Sequence, residues 1–290
     1  MTPNMVRRVA FAAVAIPGVI AIAWVGHWIF AVFLGIAGVL GTRELYDLAR
    51  KQGIEPLGRL GLAGAALAPL ATATTLFTRG LAYGLIQDGY LFLLFVLVVM
   101  AVAIRRRGPT GKPLGAVAVT IFGAVYASWL LSFALVLRHP HWDPDLNDHR
   151  VGMALLFFPL VLTWVGDSAA MTGGRAFGGA KMAPVVSPNK TWAGGFSGLF
   201  GTMAVSLIYA AVVFRAVGVS VSLGEALVLG AAISVAGQVG DVAESLFKRE
   251  VGVKDSSSLL PGHGGVLDRL DSLYFVLPMT SLLYRVTGIV

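Results

Sequence analysis

Residues 223–248 read L-G-E-A-L-V-L-G-A-A-I-S-V-A-G-Q-V-G-D-V-A-E-S-L-F-K, and the change of character at Asp241 decides how the chain is built. Up to Gly240 the run is apolar enough for a bilayer-crossing helix. If the helix continues past the membrane surface, Asp241, Glu244, Ser245 and Lys248 fall at i, i+3, i+4 and i+7 and form one polar stripe. Downstream, Pro261, Gly262, Gly264 and Gly265 enforce a sharp turn where backbone N–H groups can approach a ligand. Asp268 and Asp271 then follow at i and i+3 as the next apolar run begins. Ionisable residues at membrane depth are costly unless paired, hydrated or bound, so this region reads as a working site.

The rest of the chain has the same character. Of 290 residues, 57% are hydrophobic and 13% charged, and the mean hydropathy is +0.80, which excludes a soluble domain. With no cysteine there is no disulfide framework, thiolate metal site or cysteine nucleophile. Nine apolar runs qualify as spans: 9–25, 28–42, 60–77, 90–104, 114–137, 151–166, 193–217, 223–240 and 273–289. None shows the strict alternation of a lipid-facing strand. The expectation is an all-α polytopic integral membrane protein of about nine transmembrane helices. Its division is into N-terminal spans and an outer loop over 1–150, and a C-terminal catalytic region over 151–290 with motif loops at 167–192 and 241–272.

Of the 22 Lys and Arg residues, all but Arg79, Arg138, Arg150, Arg215 and Arg285 fall on one side of this arrangement. Cytoplasmic loops carry such an excess, so the N-terminus is expected in the cytoplasm, the C-terminus outside, and both motif loops facing the cytoplasm. The same topology accounts for the net charge of +7 without a nucleic-acid partner. Arg7 and Arg8 before the first apolar run give it the layout of a signal peptide, and equally that of a retained first span.

Carboxylates converging from two helix ends, with Lys and Arg among them, suit a divalent cation that holds a polyphosphate, and oxygen ligands favour magnesium over zinc. Upstream, Asp167 ends a span, Gly173 to Gly179 reads as a flexible loop, and Arg175, Lys181 and Lys190 are cations suited to an anionic ligand. Two other polar stretches are set aside. The outer loop with His139, His141, Asp143, Asp145, Asp148 and His149 reads as solvated, because its prolines fit no helical ligand spacing. The run Arg43 to Lys51 reads as an interfacial amphipathic segment, which leaves every ionisable cluster after residue 166.

Ser245, Lys248, Arg249, Lys254, Asp255, Pro261, His263, Gly264, Gly265, Asp268, Arg269 and Asp271 together resemble the signature of the phosphatidate cytidylyltransferases, or CDP-diacylglycerol synthases, in type and spacing. The likeness extends through Trp164 to Gly195, where Ser187, Pro188, Lys190, Thr191 and Trp192 are similar to the family's Ser-Pro-x-Lys-Thr-Trp element. The chain departs from the pattern at Met171, Asn189 and Ala193. The resemblance implies transfer of CMP from CTP to phosphatidic acid, with magnesium held by Asp241 and Asp268, and Asp271 or Glu244 behind them. It also implies that Lys248, Arg249, Lys254 and Arg269 bind phosphates. Asp167, Arg175, Lys181, Ser187, Lys190, Thr191, Ser245, Asp255, His263, Gly264 and Gly265 are the further expected substrate contacts. A second, monovalent cation and a homodimer complete the expectations. A cation- or proton-coupled transporter and another CTP-dependent lipid enzyme, such as a polyprenol kinase, stay open beside this reading.

Overall fold

The structure is a computed structural model that describes residues 3–78, 86, 89–140, 149–260, 262 and 264–289, with backbone alone for 3–12. The chain is an all-α integral membrane protein with one small strand pair. In order come α1 (Pro3–Val25), α2 (His27–Lys51), α3 (Gly58–Phe77), α4 (Tyr90–Arg106), α5 (113–138), α6 (His149–Phe177), β1 (Lys181–Ala183), β2 (Ser187–Thr191), α7 (192–214), α8 (Leu223–Glu250), α9 (Leu267–Leu270) and α10 (Leu273–Thr287). Among the described residues, six helices are long and apolar enough to cross a membrane: α2, α3, α5, α6, α7 and α8. The other apolar helices are shorter, α4 having 17 residues and α10 having 15.

Two expectations about helix ends are corrected. Arg43 to Lys51 is no separate interfacial segment but the last turns of α2, where Glu44, Leu45, Tyr46 and Leu48 are all buried. Gly173 is no flexible loop either, since α6 runs on past Asp167 to Phe177. Glycines there admit a neighbouring helix instead of loosening the chain: a Cβ on Gly173 would collide with Ser197 of α7, and one on Gly166 would lie 2.6 Å from Thr202 Oγ1. The expectation for α8 holds, because the helix is unbroken through the polar stripe to Glu250.

By packing, the chain falls into two units: 1–136 with 250–269, and 137–249 with 270–290. The expected boundary at 150 thus follows the order of the sequence, whereas packing assigns the signature loop to the N-terminal helices.

In the first unit, small residues and interhelical hydrogen bonds stand in for the hydrophobic effect, which does little between helices surrounded by lipid. Tyr46 of α2 donates its hydroxyl to the Thr120 carbonyl of α5 at 2.6 Å, and Thr42 donates to the Gly123 carbonyl at 3.1 Å. Gly61 and Gly123 leave room for the Tyr46 ring. A π-helical turn at Val125–Trp129 carries Ser128 to the Ala65 carbonyl of α3, 2.5 Å away.

The second unit is centred on Phe158, Tyr209, Phe214 and Tyr284, whose rings pack at centroid separations of 5.0 to 6.4 Å. The Tyr209 and Tyr284 hydroxyls reach the carbonyls of Ala154 and Leu155 on α6. At the start of the outer loop, Arg138 and His139 are buried, not solvated, and Arg138 meets His149 Nδ1 at 2.9 Å. His141, Asp143, Asp145 and Asp148 lie outside the described residues, as does Arg79.

Gly123→Val should cost about 1–3 kcal/mol of thermal stability in detergent, because a Cβ there would collide with the Tyr46 ring. Tyr46→Phe removes one interhelical hydrogen bond and should cost only about 0.6 kcal/mol. A Val variant as stable as the Phe variant would contradict this packing.

Candidate active site

The signature loop is organised by a residue the sequence did not single out. Glu44 of α2 is 4% exposed, and its carboxylate accepts four hydrogen bonds from the loop. Oε1 receives the Ser257 hydroxyl at 2.7 Å and the Val266 N–H at 3.0 Å. Oε2 receives the Ser256 hydroxyl at 2.9 Å and the Leu267 N–H at 2.8 Å. A buried carboxylate without partners would be prohibitively costly, and these donors are what make its burial tolerable.

Asp268 fastens the same loop from within. Its Oδ2 accepts from the Ser256 N–H at 2.9 Å, the Ser256 hydroxyl at 2.8 Å and the Gly265 N–H at 2.8 Å. The two glycines follow from this crowding. A Cβ on Gly265 would overlap Ser256 Oγ and the Glu44 carboxylate, and Gly264 has φ +83 with Asp268 Oδ2 2.8 Å from where a Cβ would stand. On either side of the expected turn, the Leu260 N–H donates to the Gly264 carbonyl at 2.8 Å. Pro261 and His263 lie outside the described residues. Lys254, Asp255 and Arg269 are exposed.

In the second unit, a cleft of about 540 Å³ gathers much of the upstream motif: Asp167, Arg175, Lys181, Lys190 and Thr191, with Asp241 from α8. Its central contact is the ion pair of Lys190 Nζ and Asp241 Oδ2 at 2.7 Å. Local structure explains why Lys190 is there. β1 and β2 pair antiparallel with Lys181 opposite Thr191 and Ala183 opposite Ser187. The Thr191 hydroxyl accepts the Gly194 N–H at 3.1 Å and caps α7. The Ser-Pro-x-Lys-Thr-Trp element is thus a strand running into a helix cap, with the lysine delivered to the cleft and the buried threonine occupied by the backbone. Gln238, unremarked in the sequence, also lines the cleft and donates to the Gly195 carbonyl at 3.2 Å. Of the positions that depart from the family pattern, Met171 and Asn189 line it too.

Further along α8, Glu244 is fully buried and ion-paired with Lys248 one turn on. Ser245 is also buried, and Arg249 donates Nε to the Val186 carbonyl at 3.3 Å. Asp271, just ahead of α10, is pushed up to about 6 by burial first and by the Asp241 charge second; the Ser272 N–H and Lys248 pull the other way. Among the described residues no three His, Asp or Glu side chains stand close enough to cage an ion by themselves. Of the expected pair, Asp241 belongs to the second unit and Asp268 to the first.

A sequence model described as "Cytidylyltransferase family" matches residues 6–287. Phosphatidate cytidylyltransferase 5, chloroplastic, of Arabidopsis thaliana is 30% identical over 306 aligned positions, covering 98% of this chain and 72% of that protein. Phosphatidate cytidylyltransferase of Haemophilus influenzae is 41% identical over 150 residues, covering 52% of this chain and 51% of that protein. That of Staphylococcus aureus (strain COL) is 43% identical over 132 residues, covering 46% and 49%. The match spans about half the length of these two bacterial relatives.

Two outcomes follow from the geometry. Glu44→Gln turns an amide NH₂ toward hydroxyl and N–H donors, and should speed amide exchange at Val266 and Leu267 by at least roughly tenfold, given about 1.5–3 kcal/mol per hydrogen bond to a charged group. Unchanged exchange would mean that the loop does not depend on Glu44. For Asp271, a native-state value above the ordinary carboxylate range favours the protonated form, so its contribution to stability is full below about pH 4 and is lost as pH rises through about 6. In chelator, the melting temperature of wild type should fall across that window more steeply than that of Asp271→Asn; parallel curves would remove Asp271 as the cause.

Proposed function

The chain belongs to the cytidylyltransferase family, and from that membership we propose that it transfers CMP from CTP to phosphatidic acid, giving CDP-diacylglycerol and pyrophosphate. The observation that carries this reading is the cleft closed by Lys190 and Asp241, because it sets a carboxylate for a cation beside three basic side chains for a triphosphate. An oxygen of the lipid phosphate attacks the α-phosphorus of CTP in line as the bond to the bridging β-phosphate oxygen breaks, and pyrophosphate leaves with that electron pair. The nucleophile is already anionic, so the chain has no covalent intermediate to form.

Arg175, Lys181 and Lys190 bind and orient the triphosphate as forks or point charges. Lys190 exchanges its hold on Asp241 for phosphate oxygen, which releases the carboxylate. Asp241 and Asp268 are each proposed to ligate magnesium, and within the second unit the mutual crowding of Asp241 and Asp271 suits a cation. Bound magnesium supplies neutralisation of charge on the triphosphate and the leaving pyrophosphate. Glu244 fits direct ligation poorly, being engaged by Lys248, and we assign that pair to holding α8 in place. Lys248 is accordingly a positioning residue, while Arg249, Lys254 and Arg269 remain proposed phosphate contacts. Ser187 and Thr191 remain proposed substrate contacts, and the Thr191 hydroxyl, which accepts the Gly194 N–H, keeps its own proton to donate.

The nine-helix topology, with the N-terminus in the cytoplasm and the cleft and signature loop facing CTP there, belongs to the same proposal, as does a bacterial inner-membrane location.

Purified protein given CTP labelled at the α-phosphate, phosphatidic acid and magnesium should place label in lipid, and chelator should stop it. Lipid labelled only from the γ-phosphate would instead mean kinase chemistry. In that assay Asp241→Asn and Asp268→Asn should each lose at least about 100-fold in turnover while eluting as folded protein; Asp268→Asn active near wild type would leave that residue a loop fastener only. The absence of cysteine makes orientation directly measurable. A single cysteine at Gln52 should resist impermeant maleimide in intact cells and react in inverted vesicles, and one at Ser220 should do the opposite. The reverse pattern would invert the proposed topology.

A further inference from the structure

The seam between α3 and α4 in the first unit carries two cavities end to end. One, of about 510 Å³, has Arg59, Arg106 and Arg107 over Leu60, Ala63 and Val102. The other, of about 440 Å³, continues along the same two helices from Gly64 and Val98 to Thr75 and Leu91, and reaches Trp129. Its lining is almost wholly apolar. The seam therefore offers an apolar groove and, at the Arg59 end, a cationic one, both built from residues that the catalytic proposal does not use.

The head is fixed, not merely charged. Arg107 donates Nη2 to the Glu55 carbonyl at 2.8 Å, and its Nε is a buried donor with no hydrogen-bond partner among the described groups. The neighbouring acid Glu55 points its carboxylate to Arg50 at 3.1 Å. Arg59 and Arg106 present exposed guanidinium groups at the same mouth. Guanidinium forks match phosphate oxygens, and basic pockets between membrane helices suit anionic head groups. A free phosphate ion would use the arginines and leave the apolar channel unfilled, whereas a diacyl lipid uses both.

The geometry points to a binding site for an anionic diacyl phospholipid on this seam, with the phosphate at Arg59, Arg106 and Arg107 and an acyl chain along α3 and α4 toward Trp129. The site shares no residue with the cleft at Lys190 and Asp241. Phosphatidylglycerol tests it separately from catalysis, because that lipid carries a phosphodiester and lacks the terminal phosphate of phosphatidic acid.

In native mass spectrometry of the full chain in detergent, wild type should retain one phosphatidylglycerol. The double variant Arg59→Gln, Arg106→Gln should bind about thirty-fold more weakly. Ala63→Trp keeps every arginine but fills the channel mouth, and should also lose the lipid, which guards against a folding defect in the double variant. Phosphatidylcholine should be retained no better by wild type than phosphatidylglycerol is by the double variant. The proposal is overturned by undiminished phosphatidylglycerol retention in either variant, by equal retention of phosphatidylcholine, or by displacement with millimolar inorganic phosphate, which would indicate a free-anion site. None of these outcomes depends on whether label passes from CTP to lipid.

Discussion

A single buried carboxylate determines the shape of the signature loop. Glu44 brings a negative charge into the interior of the first unit, and the loop supplies two serine hydroxyls and two backbone N–H groups to satisfy it. Each partner is costly without the other: the acid would be a bare charge in a low dielectric, and the loop a set of unpaired donors. That mutual dependence explains residue choices that function alone would not. Ser256 lies between Glu44 and Asp268, and its one hydroxyl proton is divided between the two carboxylates. Gly265 has no side chain because the space a side chain would need is already filled by that contact.

The cleft of the second unit uses opposite means. Its charges are partly open to solvent, and the contact that organises it is an ion pair between elements of different kinds, a strand lysine and a helix aspartate. Such a pair is adaptable: a polyanion can take the lysine and a cation the aspartate, so the resting contact keeps both groups oriented until ligands arrive. The hairpin and the Thr191 cap fix the lysine's starting point, while Gly194 and Gly198 let α7 lie close against α6 beneath the cleft. Rigid backbone with exchangeable side-chain partners is what phosphate chemistry dominated by positioning requires.

Much of this was legible from residue order. The apolar runs located the helices, and the i, i+3, i+4, i+7 spacing from Asp241 to Lys248 gave an unbroken polar stripe. Glu44 was hidden for a definite reason. R-E-L-Y-D-L-A-R-K has the alternation of an amphipathic surface helix, and nothing local marks one of its acids as buried when the partners lie more than 200 positions away. Glycines 173 and 174 misled in another way. In water they signal a loose backbone, but next to Ser197 and Thr191 of a facing segment they signal close approach, and only the neighbour distinguishes the two. What residue order did not show is that the Thr191 hydroxyl, which lines the cleft, also caps the helix that follows.

The long separation between Glu44 and its donors also sets an order of assembly. A ribosome adding about 5–20 residues per second needs roughly 10–40 s to proceed from Glu44 to Ser256, 212 residues later. Through that interval the nascent α2 holds an acid whose eventual partners have not been made. It has to stay hydrated or shielded until residues 256–267 are made. The loop can therefore close on Glu44 only after residue 267 has been made.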